Sequence, residues 1–276
     1  MSTLTVRQAL AKSSLLNNDS AERDVQLLLL EVLDRPASFL FTWPDKELTD
    51  EQKKRFSQYL ERRIGGEPVA YILGYQHFWS LKLFVGRSTL IPRADTELLV
   101  EKALGYLADG DYRVADLGTG TGAVALSLAT ERFSWQVDAC DYQLDAVMLA
   151  KKNAKHLKLD NVSVHCGSWF EPLKGKYHMI VSNPPYIDPE DPHLSQGDLR
   201  FEPDSALISQ GNGLDDIKEI ISSARDYLHA GGWLLLEHGY DQASEVRYLF
   251  EKAGFSQIES CVDLGGNDRV TLACWS

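Results

Sequence analysis

Asn183-Pro184-Pro185-Tyr186 stands directly after the apolar run Tyr177–Ser182 and is the most chemically specific segment of this chain. Two consecutive prolines remove two backbone donors and fix φ twice, so the chain must leave its strand in a stiff, extended turn. The carbonyls of that turn and the Asn183 amide are then free to face a ligand, and Tyr186 adds a flat ring for stacking. A planar –C–NH2 group suits such a surface. Its two N–H bonds can meet the Asn183 side-chain oxygen and the Pro184 carbonyl. A rigid loop without a ligand is the plainer alternative. Against it stands the combination of Asn before and Tyr after the prolines, at a strand end downstream of a glycine-rich turn.

That turn is Asp116-Leu-Gly118-Thr-Gly120-Thr-Gly122, which follows a strand and opens a helix. Across Gly118, Thr119, Gly120, Thr121 and Gly122 the backbone can come close to a ligand, and the helix start presents free N–H groups. Gly118-x-Gly120-x-x-Ala123 also fits the dinucleotide fingerprint, with Asp141 about 20 residues further on, so the pattern alone leaves the cofactor open. Asp141 lies just past the strand Val137–Cys140, where a carboxylate can accept both hydroxyls of a ribose. Capping the next helix is its competing role, and Asp116 reads equally as a helix-side cap.

The elements that position these residues follow from periodicity. Residues 1–75 read as four or five short helices. Ser20–Asp24 looks like a helix start, Thr49–Gln52 a capping box, and Gly65-Gly66 with Pro68 a stop. Phe78–Val85 alternates like a strand, with Thr89–Ile91 as its hairpin partner and Pro92 as its end. Ala94–Leu107 is helical. From residue 111, the strand signals Tyr112–Leu117, Val137–Cys140, Val162–Cys166, Met179–Val181 and Trp233–Leu236 appear, the early ones separated by the helical segments Ala123–Arg132 and Leu144–Leu157. That alternation predicts an α/β fold with a mostly parallel sheet covered on both faces. Ile258–Val262 and Val270–Trp275 then suggest a terminal antiparallel pair.

Composition narrows the function classes. With 276 residues, 44% hydrophobic and 25% charged, the chain is an ordinary globular protein. Four scattered cysteines and seven histidines make no metal-ligand spacing, so no metal is expected. No signal peptide is visible at the N-terminus and no apolar stretch approaches a membrane span, so a cytoplasmic protein without a membrane partner is expected. The net charge of −12 is uneven. Residues 1–75 carry ten basic and eleven acidic side chains, and residues 76–276 carry 18 and 29. So acidic a main body disfavours a general nucleic-acid binder.

Gly118–Gly122, Asp141 and Asn183–Tyr186 together resemble class I S-adenosylmethionine-dependent methyltransferases that act on planar exocyclic or amide nitrogens. Within them the chain closely resembles the PrmC/HemK family, the protein-(glutamine-N5) methyltransferases of peptide chain release factors. The likeness extends to Phe78–Phe84, Leu90–Glu97, Asn183–Asp188, Arg200–Pro203 and Asn267–Val270, and so spans nearly the whole chain. It implies a Rossmann-like, mostly parallel seven-stranded sheet with an antiparallel terminal pair, preceded by a small all-α bundle and a β-hairpin linker. The expected domains are a substrate-recognition bundle at 1–75, the linker at 76–92 and the methyltransferase domain at 93–276.

The same resemblance implies the roles of residues. Gly118 to Gly122 would line the methionine part of S-adenosylmethionine, Asp141 would hold the ribose and Trp169 would pack by the adenine. Asn183 would touch both cofactor and target. Asn183, Pro184, Pro185 and Tyr186 would bind the target glutamine amide of the Gly-Gly-Gln motif, with Asn183, Pro184 and Tyr186 as the catalytic set. Ser168 departs from relatives that carry an acid there. Arg93 and Glu97 could form part of the cofactor-side entrance, with a salt-bridged helix start as the plainer and favoured reading. The expected enzyme is a monomer that acts on release factors, without direct nucleic-acid contact. The rival enzyme is an N6-adenine or guanine-N2 methyltransferase acting on DNA or RNA, whose flipped base could stack on Tyr186. A dinucleotide oxidoreductase has no task for Asn183–Tyr186. A methyltransferase-fold adaptor would keep the pocket without the reaction.

Overall fold

The structure, a computed structural model, describes residues 3–276; Met1 and Ser2, the start of the segment read as lacking a signal peptide, lie outside the described residues. The chain forms two units. One holds the chain up to Gly74 together with Gly197–Phe201, and the other holds Tyr75–Gln196 and Glu202–Ser276.

In the first unit, the described residues form the α-helices Val6–Leu10, Ala21–Leu33, Ser38–Thr42, Asp50–Ile64 and Val69–Leu73. Thr49 and Gln52 close the expected capping box, and Thr5 and Gln8 close a second. Val25, Leu28, Leu29 and Val32 on one long helix meet Phe56 and Leu60 on the other. Arg63 Nε, nearly buried, donates to Asp24 Oδ2 at 2.7 Å, and its Nη1 donates to Asp198 Oδ1 at 2.9 Å. Ser20 and Asn18 also donate to Asp24. This pairing accounts for an acid and an arginine inside a small core, where an unpaired charge would be costly.

The second unit opens with a hairpin that differs from the expected one. Its strands are β1 (Tyr75–Phe78) and β2 (Leu81–Phe84), with Phe78 opposite Leu81. Thr89–Ile91 is not its partner; Thr89 and Leu90 line a cavity instead. The reversal falls at Trp79, which adopts φ 55° and donates its backbone N–H to Glu97 Oε1 at 2.7 Å. The tight turn lets Phe78, Leu81 and Leu83 all enter the core, which a single strand through residue 85 would not.

The remaining strands are β3 (Arg113–Leu117), β4 (Gln136–Asp141), β5 (Val162–Cys166), β6 (Tyr177–Ser182), β7 (Leu228–Glu237), β8 (Ser256–Val262) and β9 (Asp268–Trp275). They form one sheet in the order β5-β4-β3-β6-β7-β9-β8. The first five pair in parallel, while β9 runs antiparallel to β7 and β8. Successive side chains serve opposite cores. Val114, Val181 and Leu235 face one, with helices Glu97–Tyr106 and Ala123–Glu131; Ala115, Ile180 and Leu234 face the other, with helices Asp215–Ala224 and Ala243–Lys252. This two-sided burial explains the near-continuous apolar runs.

The chain starts the sheet at β3, builds outward through β4 and β5, then returns to add β6 on the other side. The crevice at that switch point is where such sheets hold ligands. Asp141 ends β4, Gly118 follows β3 and Asn183 follows β6. Because β4, β3 and β6 are neighbours, three distant segments meet at one edge.

Candidate active site

A cavity of about 370 Å³ opens at that edge, a size suited to a small organic ligand. Gly118, Thr119, Gly120, Thr121, Asp141, Trp169, Asn183 and Pro185 all lie in its wall. Gly122, Pro184 and Tyr186 do not. Gly122 sits behind the wall at φ 86° and starts the helix Ala123–Glu131. Pro184 is buried, and the Tyr186 ring packs against the apolar core with its hydroxyl donating to Glu237 Oε1 at 3.3 Å. The flat ring expected on the target side is thus tied from behind.

The glycine-rich turn and Trp169 are shaped to each other. Gly118 has φ 68°, and a Cβ there would stand 3.3 Å from the indole Cζ3. Trp169 itself adopts φ 43°, an unusual conformation for a bulky residue and one that clusters at ligand sites. Its carbonyl accepts from the Cys140 thiol at 3.0 Å. Beside it, Ser168 lies in the wall and donates its backbone N–H to Glu171 Oε2 at 3.1 Å.

Asp141 accepts the Gly120 N–H at Oδ2 and the Gln143 N–H at Oδ1, each at 2.9 Å. Burial raises its carboxyl above the usual range against the pull of those two bonds. The brace and the ligand-facing position are therefore held by one side chain. Asp116 combines roles likewise. It lines the cavity, accepts from the Thr119 hydroxyl at 2.6 Å and caps Ala125 N–H at 3.1 Å. Burial pushes its carboxyl up to about 7.

Asp216 and Glu219 add two more acids to the wall, and among the described residues no Lys, Arg or His lines it. Four carboxyl groups without a cation favour a positively charged ligand and oppose the pyrophosphate of a dinucleotide. No cluster of metal-ligating residues is found among the described residues.

Asn183 Nδ2 donates to Thr96 Oγ1 at 3.1 Å, which leaves Oδ1 as the side chain's acceptor. Thr96 belongs to a segment in which nearly every side chain is committed. Arg93 pairs with the buried Glu202, whose other oxygen accepts Ile91 N–H at 3.3 Å. Asp95 meets Arg269 at 3.5 Å, and Glu97 holds the hairpin turn. Arg93 is thus salt-bridged, to a partner far away in sequence, whereas Glu97 takes the backbone N–H of Trp79. The turn is also held at its exit. Gln242 Nε2 donates to the Tyr186 carbonyl at 3.0 Å, and Gly213 packs directly on the same oxygen. Ile187 bridges to Ile208, drawing Ser205, Ala206 and Ile208 to the wall. Sequence reasoning gave no role to Thr96, Glu237, Gly213 or Gln242. Only Thr96 sat in a segment already singled out.

Comparison with known proteins adds relatives to this geometry. Residues 7–74 match the model of the PrmC N-terminal domain, and residues 94–198 match that of the methyltransferase small domain. The chain is 50% identical over 272 residues to the release factor glutamine methyltransferase of Aliivibrio fischeri, covering 98% of this chain and 96% of that one. It is 52% identical over 273 residues to the release factor glutamine methyltransferase of Pseudomonas aeruginosa, covering 99% of each. Among solved structures, a methyltransferase from Pyrococcus furiosus matches with a TM-score of 0.56 at 16% identity, over 79% of this chain and 98% of that one. At that identity the match speaks for the fold.

Proposed function

The chain belongs to the release factor glutamine methyltransferases, and on that premise we propose that the Asn183–Tyr186 turn presents the glutamine amide of a release factor's Gly-Gly-Gln motif to the cavity. The methyl donor is S-adenosylmethionine, a cationic cofactor matched to the four acids of the wall. In this reading Gly118 to Thr121 line its methionine part, Asp141 accepts the ribose hydroxyls and Trp169 flanks the adenine. The observation that carries the reading is Asn183, an amide fixed at the cavity wall with its oxygen left to accept.

An amide nitrogen is a weak nucleophile because its lone pair is delocalised, whereas the sulfonium already activates the methyl group. Orientation is then the main need. The Asn183 oxygen and the Pro184 carbonyl each take one N–H, turning the nitrogen's lone pair toward the methyl carbon. Such alignment can supply roughly 7–11 kcal/mol of the barrier. As the N–C bond forms and the S–C bond breaks, positive charge grows on the N–H groups and the same two oxygens stabilise it. The proton leaves to water after transfer.

The helical unit serves as the recognition domain for the release factor. The enzyme works as a monomer in the cytoplasm without direct nucleic-acid contact. Among the described residues no helix is long and apolar enough to cross a membrane.

Methyl transfer from labelled S-adenosylmethionine to a purified release factor tests the reading. Label on the intact factor, and none on one whose Gly-Gly-Gln glutamine is changed to alanine, is the expected result. Transfer to DNA or RNA instead would replace it with the base-methylating enzyme. A second expectation concerns the turn itself. In Gly213→Ala the new Cβ would stand 2.1 Å from the Tyr186 carbonyl oxygen at a backbone φ of 77°. The turn must shift, and a displacement of this kind costs up to about 100-fold in rate. Steady-state kinetics should show kcat falling while cofactor affinity holds.

A further inference from the structure

Asn153, on helix Leu144–Leu157, is fully buried and stands outside the cavity wall. An amide side chain offers an acceptor oxygen and two N–H donors, and here the oxygen and both donors are engaged. Its Oδ1 accepts the Phe84 N–H at 2.8 Å. Its Nδ2 donates to the Phe84 carbonyl at 3.0 Å and to the Thr121 carbonyl at 2.9 Å. The Phe84 N–H can only donate, so it decides which end of the amide carries the oxygen. The same helix also grips the Phe84 ring, with Lys152 Nζ 3.9 Å from its centroid and the His156 ring centroid at 4.9 Å.

Both segments tied to Asn153 lead into the cavity wall. Thr121 itself lines it, and Phe84 ends β2 shortly before Ser88, Thr89, Leu90 and Pro92, which line it too. Turn and segment lie side by side, since a Cβ on Gly120 would stand 3.9 Å from Thr89 Cβ. The turn needs anchors. Gly118, Gly120 and Gly122 all have positive φ, at 68°, 56° and 86°, and glycine loses the most backbone freedom on ordering. Asp141 holds the Gly120 N–H, the Thr119 carbonyl holds the Gly122 N–H at 2.8 Å, and Asn153 holds the Thr121 carbonyl. Of these anchors, Asn153 is the one that also holds the chain entering residues 88–92.

Resting on the assignment of S-adenosylmethionine to this cavity, we infer that Asn153 is a positioning residue for the cofactor, a buried amide that clamps the glycine-rich turn and the 88–92 segment in place before the cofactor arrives. Ordering that is already present need not be supplied by binding, so the clamp raises cofactor affinity. It touches neither the methyl group nor the target amide, so the rate at saturating cofactor does not depend on it. Coupling is reciprocal, and a clamp that tightens cofactor binding is itself tightened by the cofactor.

The test uses the full-length enzyme, S-adenosylmethionine and an intact release factor. Asn153→Leu removes every bond of the clamp at similar volume. Asn153→Asp keeps an acceptor for the Phe84 N–H but, when ionised, has no donor for either carbonyl. Both should raise cofactor Kd roughly 10- to 100-fold, with kcat at saturating cofactor and KM for the factor near wild type. An amide that only supports the fold would lower the melting temperature of the variants and leave the Kd of the folded protein unchanged. That result would overturn the inference. Asp141→Asn is the reference. A weakened Asp141→Asn beside wild-type Kd in both Asn153 variants overturns the clamp alone, whereas wild-type Kd in all three overturns the placing of the cofactor in this cavity. Hydrogen exchange of the wild type carries the test even if both Asn153 variants fold poorly. Saturating cofactor should slow exchange of the Phe84 N–H more than that of the amides of β8, at the far edge of the sheet. Equal slowing would overturn the clamp.

Discussion

Changing Asn183 to alanine is expected to lower kcat roughly 10²- to 10³-fold, the loss typical when one preorganised partner of developing charge is removed. The side chain is anchored at Thr96 by its nitrogen, so its oxygen is already aimed before the target arrives. Alanine removes one of the two acceptors that turn the amide nitrogen toward the methyl carbon. The other acceptor, the Pro184 carbonyl, is backbone and stays. Cofactor affinity should change far less, because Asp141, Trp169 and the glycine-rich turn hold their own positions through other bonds. Single-turnover methylation with cofactor binding measured in parallel separates the two quantities. Transfer at a rate comparable to wild type would remove Asn183 from the chemistry.

The difference between what was legible in the sequence and what was not has a physical basis. The central strands β3, β6 and the second half of β7 announce themselves because burial on both faces demands short runs of β-branched and aliphatic residues. The Gly118–Gly122 turn and Asn183–Tyr186 are legible because few other residue types allow those backbone paths, which is a local constraint. Thr96 and Glu237 carry no such mark. A threonine at a helix start and a glutamate at a strand end are common, and their contacts with Asn183 and Tyr186 arise only where segments distant in sequence meet. The same holds for Gly213, whose left-handed backbone is local but whose contact with Tyr186 is not. The hairpin misled because alternation continues through Phe78–Val85 while the turn lies at Trp79, a residue type that seldom reverses a chain. A flat ring for the target is legible in a tyrosine after two prolines, but the anchoring of its hydroxyl on β7 is not, because Glu237 lies far along the chain.

Asp141→Asn should weaken S-adenosylmethionine binding at least about 100-fold and leave kcat at saturating cofactor much closer to wild type. Both carboxylate oxygens already accept a backbone N–H, from Gly120 and from Gln143. Asparagine has one acceptor oxygen, so its nitrogen must face one of those donors, and a buried donor left unpaired costs about 1–3 kcal/mol. The charge-assisted bond to a ribose hydroxyl, about 1.5–3 kcal/mol, is weakened as well. The loss falls where the cofactor sits, because a displaced Gly120 loosens the loop that lines it. The unliganded fold is affected less. Burial already raises the Asp141 carboxyl, so a neutral side chain relieves a desolvation cost while it loses a hydrogen bond. Calorimetry gives the Kd, and thermal unfolding with and without cofactor gives the ligand-linked gain, which a 100-fold loss of affinity lowers by about 2.7 kcal/mol when free cofactor is abundant. An unchanged Kd would mean that Asp141 only braces the turn and that the ribose is held elsewhere on the wall.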